Sequence, residues 1–260
     1  MKILKKILYF VRHKFVLRLL PDFIKLDLIT VGSNTITLNR SDEVGALDKA
    51  WGLVITNQMN GGYYEFGVYK GESFRISFQI YLKYLRWMKS QSESQEMWRR
   101  KINWDLKHSF YAFDTFEGMP ENDENNDTFA KGSFLSSLDE VKSAGEKIGM
   151  REGDQIKYFK GKFSDIAKER SDEISNLQPA AIVNIDSDLY ASARDALELI
   201  NPKLRQCTVL LMDDYNCFSA NQKEGERYAL SEFLEKNPDK EVEKWFQYGL
   251  TGQAFIVHFN

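Results

Sequence analysis

Glu65-Phe-Gly-Val-Tyr-Lys-Gly71-Glu-Ser73 is the stretch on which the reading of the fold turns. An apolar run, Tyr63 to Phe66, carries an acidic side chain, meets two glycines and then passes into a helical pattern over Glu72 to Trp87. A strand, turn and helix of this kind lets the backbone approach a ligand closely at Gly67 and Gly71. The helix start around Ser73 offers amide hydrogens to a carboxylate. The spacing is E-x-G-x-x-x-G and not G-x-G-x-x-G, so the dinucleotide fingerprint fails and a nicotinamide cofactor is disfavoured.

Outward from this turn, short β-rich runs alternate with helical patterns, the signature of a parallel sheet with helices on both faces. After Tyr63 to Phe66, strands are expected at Phe110 to Phe113, Ile156 to Phe159, Ala181 to Ile185, Val209 to Met212, Trp245 to Tyr248 and Ala254 to Phe259. Ala181, Ile182, Val183 and Ile185 are almost continuously apolar, as are Val209 to Met212, which marks central strands buried on both faces. Helices are expected over Leu138 to Ile148, Ala191 to Leu204 and Gly225 to Lys236. No helix separates the last two strands, so they are read as an antiparallel hairpin through Gly249, Thr251 and Gly252. The fold class is therefore α/β, with a seven-stranded, mostly parallel sheet. Residues 88 to 107, charged and Trp-containing, are read as an inserted helical excursion. The acidic, Asn-rich run Glu121 to Asp127 is read either as a solvated loop or as a lid.

In open α/β sheets ligands bind at the carboxyl ends of the strands, so polar residues that end successive strands are informative. The second strand ends at Asp114, whose carboxylate could accept hydrogen bonds from both ribose hydroxyls of a nucleoside that has no phosphates. The fourth ends in Asn184-Ile-Asp186-Ser-Asp188-Leu-Tyr190 and the fifth in Met212-Asp213-Asp214-Tyr215. Asp186, Asp213 and Asp214 brought together would repel unless protons or a cation compensate. A hard divalent ion is the natural expectation, magnesium by default, with manganese and calcium suited to the same ligands. The competing reading makes these aspartates helix caps. Asp188 alternates away from Asp186 if the strand continues, which leaves it behind the ligands or in a capping role. His258, in the last strand, reads as a structural histidine; for His108, ahead of the second strand, a surface position fits equally well.

The composition, 43% hydrophobic with 13% aromatic residues, supplies one sizeable core, and 260 residues suit a single domain with additions. The net charge of −3 hides an asymmetry. Residues 1 to 25 carry Lys2, Lys5, Lys6, Arg12, Lys14, Arg18 and Lys25 against Asp22 alone, and the body is acidic, which argues against a nucleic-acid partner. Residues 1–28 read as a basic amphipathic helix, with Ile3, Leu4, Ile7, Leu8, Val11 and Phe15 on one face, and 29–260 as the main domain. The apolar run is too short to span a bilayer and lacks a cleavage site. Peripheral contact with an anionic membrane, and docking on the body or on a second copy, are both open for it. Cys207 and Cys217 lack the partners of a zinc site and read as structural thiols, so a reducing cytoplasm, with peripheral contact at the inner membrane face as an option, is the expected location.

Taken together, Tyr64-Glu-Phe-Gly-Val-Tyr-Lys-Gly71, Phe113-Asp-Thr-Phe-Glu-Gly-Met-Pro120, Ile185-Asp-Ser-Asp-Leu-Tyr190 and Met212-Asp-Asp-Tyr215 resemble the macrocin O-methyltransferase family over about residues 30 to 260. The resemblance implies a Rossmann-like class I methyltransferase fold, S-adenosylmethionine as methyl donor, and a sugar acceptor belonging to a natural product, a lipid or a surface polysaccharide. It implies magnesium held by the carboxylates that correspond to Asp186, Asp213 and Asp214. In an in-line displacement Asp186 could also take the departing proton, as base and ligand at once, and the sequence does not separate those roles. The resemblance also places Glu65, Gly67, Val68, Tyr69, Gly71 and Ser73 around the methionine part, Asp114 and Thr115 at the ribose, and Lys160 and Gly161 near the adenine, with Asp186 reaching the cofactor. The basic start and the insertion at 88 to 107 lie outside the family core. The alternatives are a methyltransferase of the same fold acting on a non-sugar small molecule, and a catalytically idle nucleoside-binding protein.

Overall fold

The computed structural model describes residues 28–31, 34–37, 43–92, 106–120, 130–153 and 155–260. The chain divides into two compact units, residues 1–41 and 42–260. In the first, β1 (Leu28–Val31) and β2 (Asn34–Thr37) pair antiparallel, Ile29 opposite Ile36. This hairpin is absent from the sequence reading, although two β-branched runs separated by Gly-Ser are a hairpin signal. The expected basic amphipathic helix and the loop at Glu121 to Asp127 lie outside the described residues.

The second unit begins with α1 (Glu43–Thr56), also missed by the sequence reading, and continues through β3 (Gly62–Phe66), α2 (Glu72–Ser92), β4 (Phe110–Asp114), α3 (Leu138–Glu146) and β5 (Ile156–Lys160). Then come α4 (Phe163–Glu169), α5 (Ser171–Ser175), β6 (Ala180–Ile185), α6 (Tyr190–Ile200), β7 (Val209–Met212), α7 (Gly225–Lys236), β8 (Lys240–Tyr248) and β9 (Gly252–Phe259). Helix α2 runs on through the start of the expected insertion, and residues 93–105 of that insertion are not described. Among the described residues no helix is long and apolar enough to cross a membrane.

The sheet has seven strands in the order β5-β4-β3-β6-β7-β9-β8. Five are parallel, β9 runs antiparallel to β7, and β8 pairs with β9 as the expected hairpin. This is the class I methyltransferase arrangement expected from the sequence. The strand order reverses between β3 and β6, and at such a switch point the connections leave on opposite faces and open a crevice.

Side chains alternate across the sheet. Tyr63, Phe110, Ala112 and Ile182 meet α1 and α2, whereas Tyr64, Phe66, Phe113, Phe159 and Val183 meet α4, α6 and α7. On the second face Phe66, Phe113 and Phe159 stack in register across β3, β4 and β5, with ring centroids 4.7 Å and 4.5 Å apart. Aromatic pairs of this kind add to the area they bury. They make a rigid floor just below the strand ends that carry the polar residues. His108 is fully buried, its Nδ1 2.7 Å from the Gly61 carbonyl and its ring against Trp51 and Tyr81, which settles it as a core residue. His258 lies on β9, with Nε2 3.2 Å from Glu243 and Nδ1 2.9 Å from Gln206.

Candidate active site

A cleft of about 430 Å³ opens at the carboxyl ends of β3, β4 and β6. Its wall begins at Gly67, where φ is +84° and a methyl group would fall 1.7 Å from the main-chain oxygen of Asp186. The Asp186 N–H donates to the Phe66 carbonyl at 2.9 Å. Only glycine permits both the left-handed turn and this approach. The glycine turn and the acidic loop after β6 are therefore in direct backbone contact.

Glu65 sits beneath the turn, fully buried and outside the cleft lining. Alternation along β3 places it on the face of α2, where Oε1 accepts from the Ser73 hydroxyl at 2.7 Å and Oε2 from the Tyr63 hydroxyl. Burial raises its pKa to about 7, against the lowering by these hydrogen bonds. Val68 is also buried, and Gly71, at φ +69°, closes the turn by donating to the Val68 carbonyl at 2.6 Å. Tyr69, at φ +47°, is partly exposed on the cleft wall and meets Phe134 edge-on at 5.7 Å.

Asp114 lines the cleft and holds the turn in place. Its Oδ2 accepts the N–H of Val68 at 2.6 Å and of Tyr69 at 2.9 Å, and its Oδ1 accepts the N–H of Phe116 at 2.7 Å. A carboxylate oxygen has room for about two such bonds, so much of the capacity expected to serve a ribose is spent on the backbone. Thr115 lines the cleft and donates to the Gly118 carbonyl at 2.8 Å. Lys160 and Gly161 do not line it. Lys160 ends β5 pointing outward in an ion pair with Glu117 at 3.0 Å, and the Gly161 N–H is bound to the Asp114 carbonyl at 2.9 Å. The chain reaches the cleft one residue later, at Lys162, Phe163 and Ser164.

The acidic centre also differs from expectation. Among the described residues, the side chains whose ligand atoms lie within 4.8 Å of one another are Asp186, Asp188 and Asp214. Strand β6 stops at Ile185, and Asp188 takes φ +56°, so the alternation assumed for Asp188 does not apply and the chain folds it back beside Asp186. Asp213 falls outside this set by distance, although its charge is the foremost of those acting on Asp186. Its N–H is bound to Ile185 O at 3.0 Å and its carbonyl accepts from Thr251 at 2.8 Å.

Burial, and then the charge of Asp214, raise the Asp213 pKa to about 6. Asp186 is raised well above the usual carboxylate range, first by burial and then by Asp213 and Asp214. Cys217 donates its thiol to Asp214 Oδ1 at 3.1 Å, and burial together with that bond pushes its pKa to about 12. Oxygen-only donors, crowded and mutually repelling, suit a hard divalent ion better than a soft one.

Sequence reasoning missed the α6 side of the cleft, formed by Ala191, Ser192 and Asp195, whose one-, three- and four-residue spacings were a legible helical face. It also passed over Glu226, at the start of α7, whose Oε2 accepts the Asp214 N–H at 3.1 Å.

The macrocin-O-methyltransferase (TylF) family profile matches residues 31–240. A curated relative, the 8-demethyl-8-(2,3-dimethoxy-alpha-L-rhamnosyl)-tetracenomycin-C 4'-O-methyltransferase of Streptomyces olivaceus, is 27% identical over 139 residues, or 49% of this chain and 51% of the relative. The chain thus spans about half the length of that relative. Among solved structures, the O-methyltransferase NovP aligns with a TM-score of 0.60 at 17% identity, over 87% of this chain and 85% of its own. The calicheamicin methyltransferase CalS11 aligns with a TM-score of 0.55 at 17% identity, over 82% and 78%. These two likenesses show the fold. The family profile covers most of the chain, the glycine turn and all four acidic strand ends included, and the protein belongs to the macrocin O-methyltransferase family.

Proposed function

We propose that the protein is an S-adenosylmethionine-dependent O-methyltransferase acting on a sugar hydroxyl, with a divalent ion, magnesium by default, at the acidic centre. The observation that carries this reading is the contact between Gly67 and Asp186, which sets a donor-binding turn directly against a cluster of carboxylates. The donor's sulfonium is a cation, and Asp114, Asp186 and Asp188 outnumber Lys162 in the cleft lining, with Asp195 paired to Arg194 at 2.7 Å. Gly67 and Tyr69 would face the amino-acid part, Asp114 and Thr115 the ribose, and Lys162 to Ser164 the base.

In the reaction the sugar oxygen attacks the sulfonium methyl in line, the carbon–sulfur bond breaks with its electrons passing to sulfur, and the hydroxyl proton leaves. When bound, the ion supplies a lowered hydroxyl pKa and a fixed oxygen position. Asp186, Asp188 and Asp214 would hold it and orient the acceptor. Asp186, in its ionised form, is assigned the departing proton as well as a place among the ligands. The curated relative's name, a 4'-O-methyltransferase of a rhamnosyl compound, supports the sugar acceptor.

As a further part of this reading, the basic segment at residues 1–28 is distinct from the methyltransferase domain, whose compact unit begins at residue 42. It docks on that domain or on a second copy, or touches a membrane surface peripherally. Calorimetry with S-adenosylhomocysteine, with and without magnesium, tests the donor and metal assignments. Binding at low micromolar concentration is expected, and no binding under either condition would overturn the reading. Pelleting with anionic vesicles, with and without residues 1–25, separates docking from membrane contact.

A further inference from the structure

Glu226 is fully buried in the first turn of α7. An acidic residue there ordinarily serves its own helix through the dipole or a cap. Glu226 instead bonds to another element, since its Oε2 accepts the Asp214 N–H at 3.1 Å and ties α7 to the end of β7. Among the described residues its Oε1 has no hydrogen-bond partner, and it is closed off from solvent. The Tyr248 hydroxyl is likewise buried without a partner, and both groups feel the charges of Asp213 and Asp186.

A buried carboxylate with half its capacity unmet, beside three further carboxylates, is costly in a protein that holds no cation. That cost falls when a cation sits on the far side of the ligands, and groups behind metal ligands hold those ligands in position.

We propose that Glu226 is a positioning residue of the acidic centre: it fixes the Asp213-Asp214 turn through the Asp214 N–H and sets a further carboxyl behind the Asp186, Asp188 and Asp214 ligand set, one that a bound cation would hold ionised. The inference rests on the divalent-ion reading above. It assigns Glu226 no contact with substrate or donor. It predicts that the residue is tolerated for metal binding at the expense of the metal-free protein.

The test uses the full chain and its Glu226→Gln variant, with Mn2+ titrated against the electron paramagnetic resonance signal of the free ion. Denaturation is followed separately in chelator. Gln keeps the shape and an acceptor for the Asp214 N–H, removes the ionisable group and places an amide NH2 where Oε1 stood. The expected result is an Mn2+ dissociation constant weakened by about tenfold to a hundredfold, with a metal-free denaturation midpoint equal to or above that of the unaltered protein. A smaller change in Mn2+ affinity overturns the inference. So does a variant that fails to fold or is less stable in chelator, because a merely structural glutamate behaves that way. If the unaltered protein fails to bind Mn2+, the divalent-ion reading falls and the inference falls with it; if the unaltered protein and the variant bind equally, only the inference falls.

Discussion

Replacing Gly67 with alanine separates two costs that the fold imposes at one residue. The backbone cost comes from φ +84°, a left-handed conformation that an alanine enters at roughly 1–2 kcal/mol. The packing cost comes from the Asp186 main chain, whose oxygen would lie 1.7 Å and whose carbonyl carbon 2.8 Å from the new methyl group. Relieving that overlap requires β3 and the loop after β6 to part. The 2.9 Å bond from Asp186 N–H to the Phe66 carbonyl is then lost, at about 0.5–1.5 kcal/mol, and overpacking adds about 1–3 kcal/mol. The total is about 3–6 kcal/mol.

Gly149 is the internal control, since its φ is +88° and a methyl group there meets nothing within 4 Å. Gly149→Ala should therefore cost only the backbone part, about 1–2 kcal/mol. Urea unfolding of both variants, each beside an Mn2+ titration, measures the difference. Gly67→Ala is expected to be less stable than Gly149→Ala by about 2 kcal/mol or more and to bind Mn2+ more weakly because Asp186 has moved. Equal destabilisation with unchanged Mn2+ affinity would refute the claim that the turn and the acidic loop share this contact.

Glu65→Gln should flatten the pH dependence of stability. The folded carboxyl has its pKa raised to about 7, so its contribution is complete below the unfolded value near 4.3 and is lost as pH rises through about 7, roughly 4 kcal/mol in all. Thermal melts from pH 4 to 8 in chelator that show the same slope for variant and unaltered protein would dismiss this. Asp114→Asn places an amide among the N–H groups of Val68, Tyr69 and Phe116, and is expected to cost about 2–3 kcal/mol in urea and to weaken nucleoside binding in calorimetry. Asp188→Asn should weaken Mn2+ binding by at least about tenfold, as Asp186→Asn and Asp214→Asn should. Unchanged affinity would return Asp188 to the role of a turn residue.

The central strands were legible because β4, β6 and β7 are buried along nearly their whole length and read as almost unbroken apolar runs, and β7 matches its expected limits at both ends. Strand β8 was seen only at its end, because Lys240 to Lys244 is a charged, largely exposed edge whose alternation is weak. Helices α4 and α5, seven and five residues long, are too short to display a helical period.

In the site, Asp186 and Asp214 were legible as strand ends. The position of Asp188 beside Asp186 was not legible, because a two-residue period does not continue past Ile185, where a left-handed residue turns the chain. Glu226 was silent for a different reason. One acidic residue in a helix's first turn is ordinary, and only its bond to the Asp214 N–H across the fold distinguishes it.

The most direct test of the central claim is transfer of an isotopically labelled methyl group from S-adenosylmethionine to a panel of nucleotide-linked and lipid-linked sugars, in magnesium and in chelator. The account predicts label on a sugar oxygen in magnesium, lost in chelator and restored when the ion is returned. Label transferred equally well in chelator, or transferred only to acceptors without a sugar, would contradict it.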